Sequence, residues 1–442
     1  MTRSNMLRPI DDICMDVRQK LPSSIAGLPH INDVFAERKI TRISADYHEL
    51  FDLPHRMLRW GPDAILAFRY DDLRALGVNP VVGNFPAETF VRMGFTAMLG
   101  LPVPFEEAGN ILRFQKNQFF TTEQSVHAAI KRIFAQPLMP KAMPQFQAMG
   151  ERIASAIVDA VAGKGEIDLV GDFATALAMK FWGEVFGMTP DELSGLSDAM
   201  HKLVPLTAGL DHTEAGFRRL NDEGFPEYWR YLVPAIRRAR ESGQHMFLDR
   251  MATQFSALPA DLGELPEDVD MFVACNMIDA FHALAGGVAC TIHEMIADGD
   301  VYTSARQDET LGQQIVVEAL RLNPQVPLIT RHVHEDFEYE GMSIPRGSRV
   351  SLYWAAANRD PDAFVDPTKF LLNRGPNPPL TFGNGAQICP GRNIAQTMAL
   401  AAIRVLTQPG VSVSLSGRIE WAGGEYAPAT SPSRIPVIVT KK

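Results

Sequence analysis

The segment 382–395 constrains this chain of 442 residues more than any other, because it surrounds one cysteine with residues that permit few local structures. Two glycines precede Cys389, and glycine allows tight turns and close backbone approaches that other residues prevent. Pro390 follows directly, and proline suits the first turn of a helix. The periodic apolar stretch 392–406 predicts that helix. Cys389 is therefore expected at a helix N-terminus, where unpaired N–H groups and the helix dipole stabilise a thiolate.

The whole pattern around this cysteine resembles the haem-binding loop of cytochromes P450. It reads Phe382-Gly383-x-Gly385-x-x-x-Cys389-x-Gly391. The resemblance implies that Cys389 is the metal ligand of haem b (iron protoporphyrin IX), and that Phe382, Gly383 and Gly391 belong to the cofactor-binding loop. A thiolate is the iron ligand that favours O–O bond cleavage. A buried structural cysteine beside a glycine turn is the alternative, and the complete pattern argues against it.

Upstream, a Glu-x-x-Arg motif resembles the one that cytochromes P450 carry before their long irregular segment. Glu318 and Arg321 are three residues apart, which places both side chains on one helical face where they can pair. In the family, an arginine two places after a proline completes this pair. Lys369 holds that position after Pro367, so the resemblance implies a lysine as the third structural partner, binding as a point charge.

Three cations are expected, again by resemblance, to contact the carboxylates (propionates) of the haem. Arg331 holds the family's position for a propionate arginine, while His127 and Lys131 match the family's C-helix on the other side of the haem. For His127 the alternative is a core or surface histidine without this role. Gln387 stands where most relatives carry His or Arg toward a propionate, so one charged contact is expected to be missing.

The long apolar segment 269–296 carries the main departure from the family. Monooxygenases of this family usually have an acid–alcohol pair here that delivers protons during oxygen activation. Counting back from Glu318 places His282 at the acid's position and Ala283 at the alcohol's. His282 is then a proton donor, a hydrogen-bond partner of the substrate, or a packed histidine without a catalytic role. A second register, with Thr291 as the alcohol, stays open.

Helical periodicity dominates the rest of the chain. Apolar residues recur at three- and four-residue spacing in three further stretches, and strand-like alternation is confined to three short ones. The helical stretches are 127–134, 151–161 and 173–186, and the strand-like ones lie near 63–69, 348–354 and 412–414. We expect a mainly α protein with small β-sheets (α+β). The resemblance implies the P450 fold, a triangular helical domain with a long central helix over the haem. Nothing resembles a linker, so 1–442 is expected to form one domain.

Composition excludes several classes of protein. The net charge of −10 argues against a nucleic-acid partner, although a local basic patch could still recruit an acidic protein. Four scattered cysteines do not form a disulfide framework, which indicates a reducing compartment. The first 27 residues have no apolar core typical of a signal peptide, and no apolar run of transmembrane length is evident. We expect a cytoplasmic protein without a membrane anchor.

By resemblance, the substrate pocket has three walls. The long helix contributes Phe281, His282, Ala283 and Gly286; the segment after Pro324 contributes Val326, Leu328 and Ile329; and the region 90–114 contributes Phe90, Met93, Phe95, Met98 and Phe105. Aromatic and Met side chains at such spacing are as readily core as pocket, but together they indicate an adaptable apolar cavity. The stretch 187–243, interrupted by proline and glycine, is expected to form a mobile lid.

Three functions remain open on this basis. The leading hypothesis is a haem-thiolate monooxygenase that hydroxylates or O-dealkylates a small or mid-sized hydrophobic or aromatic substrate. Its electrons would come from NAD(P)H through a ferredoxin reductase and a ferredoxin. The second hypothesis is an atypical haem-thiolate enzyme that uses peroxide or couples radicals, which the alanine at position 283 suggests. A non-catalytic haem-binding or docking protein is the third.

Overall fold

The computed structural model describes residues 20–35, 50–92, 105–207, 213–243, 246–422 and 431–442, and helices make up most of them. The α-helices are α1 (Ile31–Phe35), α2 (Tyr70–Val78), α3 (Ala87–Val91), α4 (Gly109–Lys116), α5 (Gln124–Ala135), α6 (Met143–Val161), α7 (Ala176–Val185), α8 (Pro190–Thr207), α9 (Glu214–Arg218), α10 (Phe225–Glu241), α11 (Met246–Ser256), α12 (Val269–Ala297), α13 (Gly299–Gln307), α14 (Gly312–Leu322), α15 (Trp354–Ala357) and α16 (Arg392–Leu406). The predicted fold class, mainly α with small sheets, is confirmed.

The strands form four small sheets. They are β1 (Met57–Gly61), β2 (Ala64–Ala67), β3 (Val82–Gly83), β4 (Glu166–Asp168), β5 (Ile329–Val333), β6 (Phe337–Tyr339), β7 (Met342–Ile344), β8 (Arg349–Leu352), β9 (Val411–Leu415), β10 (Glu420–Ala422), β11 (Ser431–Arg434) and β12 (Pro436–Lys441). The largest sheet has the order β1-β2-β8-β5-β3, with β2 and β8 parallel and its other pairs antiparallel. The others pair β4-β12-β9, β10-β11 and β6-β7. This arrangement places β5, which carries Arg331, at the edge of the helical core.

The helix α12 runs through the centre of the helical core. The Asp268 side chain caps its N-terminus by accepting a hydrogen bond from the Met271 N–H at 2.8 Å. The helix packs against α7, α10, α14 and α16, so apolar residues cover most of its circumference. Of the described helices, α12 is long and apolar enough to cross a membrane, and 78% of its most apolar window is buried inside the protein. Burial on this scale is what a core helix requires.

One predicted helix differs in its backbone. The periodicity in 173–186 predicts one continuous helix, but the structure has a π-helical segment, Leu169–Thr175, followed by α7. The Asp168 carboxylate starts this segment by accepting hydrogen bonds from the N–H groups of Val170 and Gly171. The wider turn packs against α12, and such a difference in helical type leaves no signal in apolar spacing.

Candidate functional site

The cysteine loop has the geometry that its glycines predict. The Cys389 N–H donates to the Phe382 carbonyl at 2.8 Å, which closes the loop just before α16. Gly383 and Gly385 both have positive φ, at 71° and 65°. A Cβ at Gly385 would lie 2.9 Å from the Gly77 carbonyl oxygen, so the loop packs against the end of α2 only with glycine there. The sequence therefore dictates the shape of this loop.

The Cys389 sulfur lies where backbone amides can stabilise negative charge. Burial raises the pKa of the Cys389 thiol, and hydrogen bonds from the N–H groups of Gly391 and Arg392 oppose that shift. A Cβ on Gly391 would lie 3.7 Å from the sulfur, which leaves the amide free to approach. The Cys389 sulfur can therefore act as a thiolate ligand. A metal cation bound to it would favour the charged form further.

Three basic side chains, Lys131, Arg331 and His127, lie near this loop, where the resemblance predicts propionate contacts. The Lys131 ammonium on α5 donates to the Ala386 carbonyl at 2.6 Å. Burial lowers the pKa of Lys131 to about 8, against the opposing charge of Cys389 and with a small contribution from Arg331. Burial, Lys131 and Arg331 together lower the pKa of His127 to about 4. Positive potential is therefore concentrated at one end of the site without a carboxylate to balance it in the described chain.

The polar groups of this cluster are those that an anionic ligand would satisfy. The His127 Nε2 is buried and has no hydrogen-bond partner among the described residues. Arg331 is 5% exposed, and the side-chain partner its guanidinium meets in the described part of the chain is the neutral Asn84 amide oxygen, 2.9 Å away. Buried donors and charges without partners cost several kcal/mol. Two carboxylates of a haem would supply the missing acceptors, so the residues fit that cofactor.

Glu318 and Arg321 form the ion pair that their spacing predicts. Arg321 Nε and Nη2 each donate to the Glu318 carboxylate at 2.8 Å, and the arginine side chain is fully buried. Its Nη1 also donates to the carbonyl oxygens of Asn358 and Pro367, both at 2.7 Å. The pair therefore binds the irregular segment 358–371 to α14, through backbone acceptors that the sequence does not reveal.

The predicted third partner, Lys369, is wrong. Its side chain is 66% exposed and pairs with Asp366 at 3.4 Å, and only its carbonyl contacts Arg321. Arg374 occupies the position instead, with its Nε 2.6 Å from Glu318 Oε1. It also donates to carbonyl oxygens of the same segment. A guanidinium satisfies several acceptors in one plane, which an ammonium cannot do, so the third member is an arginine five residues later.

The long helix supports the first register, in which His282 and Ala283 hold the positions of the family's acid and alcohol. Ala283 is half-buried and His282 has exposed surface, although both lie at the middle of a helix enclosed by other helices. Burial nevertheless lowers the pKa of His282, so the exposed surface faces an internal cavity and not the outside of the protein. Thr291 is fully buried, and its hydroxyl donates to the Gly287 carbonyl at 2.7 Å. The second register would therefore place no hydroxyl in a cavity.

Two predicted pocket residues on this helix are wrong. Phe281 is 2% exposed and packs within the helical core. Gly286 is buried, and a Cβ there would meet the Gln325 side chain at 2.0 Å. Their spacing places them on the helix, but the face each presents depends on neighbours that the sequence does not identify. Both positions serve packing.

The second wall has open surface, and the third is described only in part. Val326 is 40% exposed, while Leu328 and Ile329 are half-buried against the sheet clusters. Met93, Phe95 and Met98 lie outside the described residues, and Phe90 and Phe105 are half-buried. The expected lid consists of α8, α9 and α10 around the undescribed 208–212, and Pro226 lies in the first turn of α10 without interrupting it.

Sequence reasoning missed three residues of the site. Asp279 lies one turn before Ala283 with surface open to the interior, and Asn84 holds Arg331. Trp354 has a buried indole N–H without a partner in the described chain, against Gly383 of the cysteine loop. Asp279 was detectable as an acid inside an otherwise apolar helix. The other two come from distant parts of the chain and carry no local signal.

Comparisons with known proteins agree with this geometry. The sequence model of the family described as Cytochrome P450 matches residues 291–408. A C-19 steroid 1alpha-hydroxylase of Sorangium cellulosum is 24% identical over 71% of this chain and 79% of its own length. A 6-deoxyerythronolide B hydroxylase of Saccharopolyspora erythraea is 25% identical over 78% of this chain and 82% of its own length. The chain belongs to the cytochrome P450 superfamily.

Solved structures show the same fold. A myxobacterial cytochrome P450 in complex with myristic acid superposes with a TM-score of 0.73 at 21% identity, over 93% of this chain and 100% of the other. An epothilone D-bound cytochrome P450 superposes with a TM-score of 0.73 at 17% identity, over 90% of this chain and 98% of the other. This P450 is of the bacterial type, its cofactor is haem b, and it is a haem-thiolate monooxygenase by family. The predicted P450 fold is confirmed.

Proposed function

We propose that this P450 hydroxylates or O-dealkylates a small or mid-sized hydrophobic molecule in the cytoplasm, with electrons from NAD(P)H delivered by a ferredoxin reductase and a ferredoxin. In this proposal Cys389 ligates the haem iron, and Phe382, Gly383 and Gly391 shape the loop beneath the cofactor. Arg331, His127 and Lys131 hold the propionates. Glu318, Arg321 and Arg374 keep the loop and the irregular segment in place.

The observation that supports the electron-transfer proposal is a set of exposed basic side chains on elements that contact the cysteine loop, in a chain with a net charge of −10. These side chains are Arg74, Arg132, Lys141 and Arg392. Hydrogen bonds join their elements to the loop, because Asn384 donates to the Arg74 carbonyl and Asn393 to the Leu138 carbonyl. A positive face on an acidic protein steers an acidic partner to the side nearest Cys389, and ferredoxins are acidic carriers of electrons.

Haem supplies the oxidising chemistry once bound. The residues of the protein hold the cofactor, orient the substrate and exclude water from it. The Gly391 and Arg392 amides stabilise the charge on the Cys389 sulfur. The apolar side chains Val326, Leu328 and Ile329 exclude water from the substrate. On the long helix His282, whose pKa is lowered by burial, would hold or pass a proton through its imidazole nitrogens.

A second candidate function is favoured by Ala283. The methyl group at this position has no proton to deliver, and the hydroxyl of Thr291 points into its own helix. An enzyme that starts from hydrogen peroxide receives its oxygen already reduced by two electrons. It needs no external reductase for that step. Peroxide-driven oxidation or oxidative coupling of phenols is therefore the competing activity.

The test compares a panel of apolar and aromatic compounds under NADH with ferredoxin and its reductase, and under hydrogen peroxide alone. Product with the ferredoxin system supports the proposal, and raising the salt concentration or substituting Arg132→Glu and Arg392→Glu should then reduce electron transfer from the ferredoxin. Arg434→Glu, on the distant strand β11, is the matched control and should leave the rate unchanged. Product with peroxide and none with ferredoxin would overturn the proposal in favour of the second function.

A further inference from the structure

The long helix presents a carboxylate to the internal cavity. Asp279 lies one helical turn before Ala283, so the two side chains share the face that also carries Ala280. Its side chain has exposed surface although its chain neighbours Ile278 and Phe281 are 5% and 2% exposed. Its charge contributes to raising the pKa of the Cys389 thiol, so the two groups are close enough to interact electrostatically. Asp279 and Ala283 therefore lie on the face of α12 that is open to the interior.

No protein cation balances this carboxylate within the described chain. Asp279 has neither a hydrogen bond nor an ion pair there. Burial is the one influence on its pKa, which is raised, whereas Lys131 acts on Cys389 and not on Asp279. Burial lowers the pKa of His282, three residues along the helix, and so disfavours its charged form. The basic side chains Arg331, Lys131 and His127 therefore have no resolved influence on the pKa of Asp279.

The charges of the site therefore fall into two separate groups. At one end lie the basic side chains that would bind the two carboxylates of the haem, namely Arg331, Lys131 and His127. At the other end, one carboxylate faces an otherwise apolar space. A charge in such surroundings is retained at low cost only when a partner of opposite charge joins it there. Since the described protein and the haem supply none, the partner has to arrive with the ligand.

We propose that Asp279 is a specificity-determining residue that binds a cationic nitrogen of the substrate. The substrate class is then a mainly apolar molecule with a protonated amine or a quaternary ammonium group. This inference rests on the proposed function, because it assigns the substrate of the same cavity. Pairing with Asp279 holds the substrate nitrogen at α12. The carbon atoms next to this nitrogen, or a group attached to the nitrogen, then lie beside Ala283.

The test uses ligand binding to the resting holoenzyme, so that it is independent of electron supply and turnover. The probes are two isosteres, an arylalkyl trimethylammonium and the neutral compound in which carbon replaces the nitrogen. A quaternary nitrogen has no lone pair and cannot ligate the iron, so its binding reports the protein alone. Dissociation constants come from calorimetry and from the shift of the haem absorption band.

We expect the wild-type holoenzyme to bind the cation at least about tenfold more tightly than its neutral isostere, as a desolvated ion pair requires. Asp279→Asn should abolish this preference while leaving the affinity for the neutral probe within about twofold. Asp261→Asn removes the same charge from an exposed loop and should change neither constant. If Asp279→Asn fails to take up haem, Asp279→Ala replaces it.

Two results would overturn the inference. One is equal or tighter binding of the neutral isostere by the wild-type enzyme, which needs no variant to interpret. The other is a cation preference that persists when Asp279 is replaced, which would assign the recognition to another group. Neither result affects the ferredoxin proposal, because that proposal fails only if the reduced carrier supports no oxidation of any compound.

Discussion

The two sides of the haem site are built in different ways. On the cysteine side, loop geometry, backbone amides and a buried ion pair follow the pattern of the family, and the loop backbone and the ion pair are hydrogen-bonded to neighbouring residues. On the helix side, His282 and Ala283 stand at the positions of the family's acid and alcohol, and Asp279 faces the cavity without a partner among the described residues. The cysteine side binds a cofactor common to the family, whereas the helix side faces a substrate that differs between members.

This contrast indicates where substitutions should act through folding and where through chemistry. A loop closed by short-range contacts tolerates little change, because each glycine and each backbone donor is needed for its shape. A cavity wall tolerates change more readily, since the cost of a new side chain depends on the ligand that shares the space.

The largest effect should come from Cys389→Ala. Loss of the thiolate removes the proposed iron ligand, so oxidation of any substrate should fall to background. The absorption band of the carbon monoxide complex that is typical of thiolate-ligated haem should also disappear. Cys290→Ala is the control, because that thiol is fully buried beside Gln325 and burial raises its pKa to about 12. Retention of the band in Cys389→Ala would refute the ligand assignment.

Three variants rank the contacts of Glu318. Arg321→Ala should lower the free energy of unfolding by about 3–5 kcal/mol, because it leaves a buried carboxylate without its main partner. Arg374→Ala should cost about 1–3 kcal/mol through the loss of one charged hydrogen bond. Lys369→Ala should change it by less than about 0.5 kcal/mol, since the side chain is exposed. Urea denaturation measures all three, and a larger loss for Lys369→Ala than for Arg374→Ala would reverse the assignment.

The third test is the stability of the haem-free protein as a function of pH. His127 is 3% exposed, and its pKa falls from 6.5 when unfolded to about 4 when folded. The unfolded chain therefore binds the extra proton between these values, so stability is complete above pH 6.5 and decreases as the pH falls toward 4. The difference amounts to about 3 kcal/mol. Urea titrations at both pH values should show it, and His127→Gln should remove it.

The smallest effect is expected on the helix side, from Ala283→Thr. A hydroxyl added on the cavity face would restore a group that can deliver protons. Product formed per NADH consumed should then rise a few-fold in the ferredoxin system, with less hydrogen peroxide released. Ala289→Thr is unsuitable as a control because Ala289 is fully buried, so Ala297→Thr at the exposed end of α12 serves instead. An unchanged yield would indicate that His282 or the substrate already supplies the protons.

The residues of the cysteine side could be placed from local sequence alone. Cys389, its glycines and the helix after Pro390 are close together in the chain, so turn geometry and helix periodicity place them without knowledge of distant residues. The Glu318–Arg321 pair follows for the same reason, since three residues along a helix bring side chains together. The register that puts His282 and Ala283 in the cavity was also present in the sequence as one of two alternatives.

Contacts between distant parts of the chain became visible only in the folded protein. Arg374 replaces Lys369 beside Glu318 because the path of the irregular segment, not its proline spacing, sets which cation reaches the carboxylate. Phe281 and Gly286 turn toward the core and Asp279 toward the cavity, because a helix apolar on most sides gives no periodic signal of its open face. That face is set by the helices packed around α12, and a chain reveals those neighbours only when it is folded.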